Sequence, residues 1–225
     1  MKRFTRINLA VVIAVITLHA GWCAETNHNF ARWEKEISAF EASEITNPPP
    51  KGAVLFIGSS TIRLWKTLQQ DFPKVKVINR GFGGSQIIDS THFAERIIFP
   101  YEPSRIFFRA GGNDLAEGKS PEEVFGDFKD FVAKVRERLP KTEITFIGWN
   151  PTIARWHQVE KEKAMNTLVN EFVEHGEGLK YIDTYSVPIG TDGKPRAELF
   201  MPDKLHFNAE GYRLLAARLR HSVEK

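Results

Sequence analysis

Short apolar runs that alternate with longer amphipathic segments constrain this chain more than any other feature. Runs at residues 53–57, 75–79, 105–109, 143–148 and 179–182 are rich in β-branched and aromatic residues and too short for buried helices. Strands buried on both faces read as continuous apolar runs, and helical segments between them mark βαβ units and a parallel sheet. Between the third and fourth runs Ser120 suits an N-cap, Pro121 the first helical turn, and Glu122 and Glu123 the positive dipole end. Val124, Phe125, Phe128, Phe131, Val132, Val135 and Leu139 form that helix's apolar face. Periodicity predicts further helices over 157–175 and 209–222. The expected fold class is α/β, a five-stranded parallel sheet with helices on both faces, in which ligands bind beyond the carboxyl ends of the strands.

The first residues follow a different rule. Lys2, Arg3 and Arg6 precede an apolar run from Leu9 to Leu18, and small residues follow at Ala20, Gly21 and Ala24. That pattern is a secretory signal peptide over residues 1–24, and it implies export to the periplasm or medium. Ten apolar residues would span about 15 Å as a helix, roughly half the hydrocarbon thickness, so no stable membrane span is expected in the mature chain. Cys23 raises lipid anchoring, but bulky Trp22 before it argues against that. Cleavage after Cys23 or Ala24 would leave no thiol, whereas cleavage after Ala20 would leave one.

Three of the 31 basic residues lie in this leader and none of the 28 acidic ones does, so the remainder has balanced charge and no basic stripe for nucleic acid. Residues 25–50 read as a helix carrying Phe30, Trp33, Ile37 and Phe40, closed by the stiff connector Asn47-Pro48-Pro49-Pro50. One domain follows over residues 51–225, and the sequence leaves its oligomeric state open.

Four segments at predicted strand ends, or just before the last helix, carry polar chemistry. Gly58-Ser59-Ser60 ends an apolar strand where a helix starts: a serine there is an exposed nucleophile near a positive helix end, or simply a cap or phosphate loop. Gly81-Phe82-Gly83-Gly84 follows the second strand, either as a backbone donor to an oxyanion or as a turn; its spacing fits a dinucleotide fingerprint poorly. Gly111-Gly112-Asn113-Asp114 follows the third strand and offers a donating amide, although Asn is also a common turn residue. Asp203-Lys204-Leu205-His206 pairs an acid with an imidazole, as a tautomer-fixing pair, a capped surface loop or half a metal site.

The ordered set Gly-x-Ser, Gly-x-Gly-Gly, Gly-Gly-Asn-Asp and Asp-x-x-His resembles the SGNH branch of the GDSL hydrolases, especially its platelet-activating-factor-acetylhydrolase-like members, from about residue 53 to 219. The resemblance implies a flavodoxin-like three-layer α/β/α sandwich and an ester hydrolase without metal or organic cofactor. Its implied catalytic groups are Ser60 as nucleophile, His206 as base and Asp203 orienting it, with an oxyanion hole from Ser60, Gly84 and Asn113. The family's usual Asp before the serine is Ser59 here, which makes Ser59 the rival nucleophile. The expected substrate is a small-molecule or glycan ester, with short-chain O-acetyl groups on carbohydrate first and a lysophospholipid or other acyl ester second. A phosphate-, flavin- or glycan-binding module without hydrolysis is the rival class. Trp65, Phe82, Trp149, Trp156, Arg80 and Arg155 are candidates to line the site.

Overall fold

The computed structural model describes residues 28–225, so the predicted signal peptide and Cys23 lie outside the described residues. The five strands are β1 Val54–Gly58, β2 Val77–Gly81, β3 Arg105–Arg109, β4 Glu143–Ile147 and β5 Leu179–Ile182. They form one sheet in the order β2-β1-β3-β4-β5, with every neighbouring pair parallel. This is the flavodoxin-like doubly wound order, and its switch point lies between β1 and β3. In chain order the helices are α1 Glu34–Thr46, α2 Ser60–Arg63, α3 Leu68–Asp71, α4 Ile87–His92, α5 Ala94–Ile97, α6 Gly112–Ala116, α7 Pro121–Arg138, α8 Val159–Glu174 and α9 Ala209–Val223.

Strand alternation builds two cores. Leu55, Ile57, Ile106, Phe108, Ile144 and Phe146 face one side, where α1, α4, α5, α7 and α8 pack with Ile37, Ile87, Ile97, Phe128, Phe131, Met165 and Val169. Val54, Phe56, Phe107, Ile147 and Ile182 face the other, against α2, α3 and α9 with Ile62, Leu68, Leu215, Leu219 and Val223. No helix among the described residues is long and apolar enough to cross a membrane.

The predicted start of α7 holds in detail. The Ser120 hydroxyl accepts the Glu123 N–H at 3.2 Å, and the Glu123 carboxylate accepts the Ser120 N–H at 2.7 Å, a complete capping box before Pro121. At α9 the Asn208 side chain accepts the N–H groups of Glu210 and Gly211.

Three of the five strands, β1, β2 and β4, differ from the expected bounds by one or two residues. β2 begins at Val77 rather than Val75, because Gln69 bonds the Val75 carbonyl and the Val77 N–H and holds that stretch as a turn. β1 and β2 both run on to a glycine, Gly58 paired with Gly81. At Gly58 φ is +141°, and a Cβ would lie 1.9 Å from the Arg109 carbonyl oxygen, so only glycine lets β1 turn so close to β3.

Candidate active site

The chain crosses from β1 through Gly58 and Ser59 into α2, and Ser60 is that helix's first residue. Backbone N–H groups at this position have no intrahelical partner, so the Ser60 N–H is free for a ligand. Tyr212 of α9 donates its hydroxyl to the Thr61 carbonyl at 2.8 Å, and the Asn79 amide donates to the Ile62 carbonyl at 2.7 Å, tying the short helix to the body.

Asp203 and His206 sit on a tight turn between Phe200 and Phe207, which pair as an isolated antiparallel bridge. Lys204 takes a left-handed φ of +57°, unusual for a side-chain-bearing residue, and this folds Asp203 back on the turn. Its Oδ1 accepts the N–H groups of Leu205 at 2.9 Å and His206 at 3.0 Å, and its Oδ2 lies 2.7 Å from His206 Nδ1. His206 Nε2 lies 2.9 Å from Ser60 Oγ, across 146 residues of chain. With the proton on Nδ1 for Asp203, Nε2 is left as an acceptor for the Ser60 hydroxyl. Burial opposes charge on Asp203, but the hydrogen bonds from the His206 ring and the two N–H groups prevail and hold its carboxyl down at about 2.

Asn113 stands on the opposite side of the site, and the Gly83–Gly84 loop packs against it without lining the pocket. Asn113 Nδ2 donates to the Ser85 carbonyl at 3.0 Å, and its Oδ1 accepts from Arg155 Nη2 at 2.9 Å. Together these partners fix the amide orientation and leave the second Nδ2 proton free. Gly84 abuts that amide, since a Cβ on it would lie 3.6 Å from Asn113 Nδ2. Gly83 is occupied elsewhere: its N–H donates to Glu36 of α1 at 2.8 Å, and at φ +41° a Cβ would collide with the Trp33 ring.

A pocket of about 50 Å³ opens here, and Ser59, Ser60, Thr61, Arg109, Asn113 and His206 are among the residues around it. Trp149, Asn150, Thr152, Arg155 and Glu162 complete most of its wall. Asn166 clamps the Trp149 backbone, accepting its N–H at 2.9 Å and donating to its carbonyl at 3.0 Å. Of the aromatic and basic candidates, Trp149 and Arg155 line the pocket, and four do not. Trp65 is buried in the second core and donates to Asp71, and Phe82 is buried in the first core against Trp33. Arg80 binds Glu44 and Tyr101, and Trp156 is exposed outside the pocket wall.

The sequence reading missed Arg109, Asn150 and Glu162. Arg109 is buried and donates to Asn150 Oδ1 at 2.7 Å, to the Gly148 carbonyl and to Thr184. Burial lowers its pKa to about 10, against the pull of Glu162, so it stays cationic at neutral pH. Glu162 was detectable in principle, as a charge on the face of α8 shared by Val159, Met165, Asn166 and Val169. No group of three metal-binding side chains occurs among the described residues.

The model of the GDSL-like lipase/acylhydrolase family matches residues 57–214, which contain all four motifs. The chain therefore belongs to that family, and it is a carboxylic ester hydrolase. A search of curated proteins finds no match. Among solved structures, a Streptococcus pneumonia protein provisionally assigned as a platelet activating factor is 20% identical, with a TM-score of 0.75 over 86% of this chain and 94% of the other. A GDSL-like lipase from Bacteroides thetaiotaomicron is 18% identical, with a TM-score of 0.64 over 87% and 97%. An acetyl-xylooligosaccharide esterase variant from Geobacillus Stearmophilus is 15% identical, with a TM-score of 0.62 over 78% and 96%. At these identities the likeness is one of fold.

Proposed function

We propose that this chain is an exported serine esterase that removes short acyl groups, acetate first, from carbohydrate through an acyl-enzyme on Ser60. The observation that carries this reading is the unbroken chain of contacts from Asp203 through His206 to Ser60, at 2.7 and 2.9 Å. In the proposed cycle His206 Nε2 takes the Ser60 proton as Oγ attacks the ester carbonyl. Asp203 accepts a hydrogen bond from Nδ1–H and, remaining ionised, stabilises the imidazolium. The N–H groups of Ser60 and Gly84 and the Asn113 amide receive the developing oxyanion. The imidazolium then protonates the departing alkoxide, and water activated by His206 releases the acid. Ser59 has no comparable link to His206, which favours Ser60 as nucleophile.

The small pocket and its polar wall favour a short acyl group and a polar alcohol over a long lipid chain. The acetyl-xylooligosaccharide esterase among the structural neighbours supports the same substrate class by analogy of fold alone. Two measurements test the reading. Acetate release should be compared across acetylated sugars, lysophospholipids and aryl acetates, with Ser60→Ala as the blank. We expect that variant to lose on the order of 10⁴-fold or more in kcat while remaining folded; full activity would rule out Ser60. Mass spectrometry of the exported protein should find its N-terminus near residue 24, and an intact Met1 would rule out the leader.

A further inference from the structure

One wall of the pocket holds polar groups that the cleavage of a plain ester does not use. Glu162 projects from the core-facing side of α8, is 4% exposed, and lines the pocket together with Ser60 and His206. Its Oε1 accepts from the Gln158 amide at 3.0 Å, whereas Oε2 has no partner among the protein's groups. A buried carboxyl oxygen without a partner is destabilising, and an apolar residue would pack better on this face. Asn150, also 4% exposed, lines the same wall. Its Oδ1 is taken by Arg109, but its Nδ2 makes only a 3.4 Å contact with the adjacent Pro151 carbonyl, so donor capacity is left over.

Charge and hydrogen-bond logic narrow what fits there. An ammonium group would meet Arg109 and Arg155 in the same wall, and a carboxylate would meet Glu162. A hydroxyl both donates and accepts, so it answers a carboxyl and an amide at once. Burial raises the Glu162 carboxyl to about 7, against the hydrogen bond from Gln158 and the charges of Arg109 and Arg155. Near neutral pH it therefore presents both acceptor and donor forms, and a hydroxyl suits either one.

We propose that Glu162 and Asn150 form a subsite for a hydroxyl group carried by the ester substrate, so that this enzyme selects hydroxylated esters over plain ones. The proposal rests on Ser60 being the nucleophile, because the subsite is defined by sharing its pocket. The hydroxyl has two possible sources, the alcohol part, as in a sugar or polyol, or the acyl part, as in a hydroxy acid.

The test compares kcat/KM for 4-nitrophenyl acetate, methyl 2-O-acetyl-xyloside and 4-nitrophenyl lactate in the native protein, Glu162→Gln and Glu162→Leu, with thermal unfolding to verify folding. For one hydroxylated ester, the ratio of its kcat/KM to that for nitrophenyl acetate should fall at least tenfold in Glu162→Leu and less in Glu162→Gln, which keeps an acceptor. The ester that loses its advantage identifies the source of the hydroxyl. Equal proportional losses on all three esters, or unchanged ratios, would overturn the subsite. Calorimetric binding of methyl xyloside and methyl lactate to Ser60→Ala, with and without Glu162→Leu, gives a readout independent of turnover. At least tenfold weaker binding of one of them in the double variant supports the subsite, and equal binding of both refutes it. Full turnover by Ser60→Ala would instead sink the nucleophile assignment, leaving the binding comparison to decide the subsite.

Discussion

The two walls of the site are built on opposite plans. The acid–base wall is local: Asp203 and His206 are three residues apart on one turn, and the turn's own N–H groups orient the carboxylate. The wall proposed to receive the oxyanion is assembled from afar. Its Asn113 amide is aimed by Arg155, and its glycine loop is held by Glu36, 47 residues earlier in the chain. The difference teaches that a pair needing only correct mutual orientation can be encoded in four residues. Donors that must converge on a point in space need bracing from several elements.

Substitutions can break or sharpen this contrast. After Ser60→Ala itself, the largest effect should follow loss of a proposed oxyanion donor. Asn113→Ala should lower kcat by about 10²- to 10³-fold with a modest change in KM, measured with an aryl acetate. A drop below about fivefold would remove Asn113 from the oxyanion hole. Next comes Arg155, read as a positioning residue through the Asn113 carbonyl. Arg155→Met should cost roughly tenfold, mainly in kcat, because misplaced donors weaken transition-state contacts more than ground-state ones. Arg155→Lys should recover part of the loss, and a change confined to KM would instead make Arg155 a substrate contact.

A smaller effect is expected where the brace lies further out. Glu36→Ala frees the Gly83 N–H and should lower kcat a few-fold and stability by about 1 kcal/mol. Glu36→Gln keeps an acceptor and should restore both, and unaltered kinetics in Glu36→Ala would show that the loop holds itself. The smallest effect on turnover with plain esters concerns Glu162 in the pocket wall, where the change is instead in how stability depends on pH. The folded protein holds the Glu162 proton up to about 7, against an ordinary 4.5, so the folded state binds more protons than the unfolded one between those values. Stability therefore falls as pH rises through that window and levels above it. Glu162→Gln removes this dependence, so its gain in melting temperature over the native protein should grow from pH 4.5 to 7.5, by roughly 2 to 4 °C for each kcal/mol relieved. A gain independent of pH would contradict the assigned burial effect.

Legibility in the sequence follows the same division. All five strands are visible as apolar runs, displaced by at most two residues at an end, because burial on both faces leaves a continuous signal. The capping box at Ser120 and the Asp203–His206 pair are also legible, being contained within a few residues. Glu162 was only faintly legible, as a single charge on the apolar face of α8, because one charge barely weakens an otherwise periodic pattern. Trp65, Phe82 and Arg80 misled for a related reason: large aromatic and basic side chains near strand ends serve a core or an ion pair as readily as a pocket. Only the tertiary pairing of Arg80 with Glu44 and Tyr101 separates those uses.

The brace from α1 has a consequence for how much polypeptide makes a working unit. The residues shared with the family start at 57, whereas Glu36 and Trp33 precede them. A chain trimmed to the shared portion would carry every reacting group, yet it would leave the Gly83 amide without its acceptor and one flank of the glycine turn uncovered. The smallest competent piece of this esterase is therefore expected to be longer than the segment the family model matches.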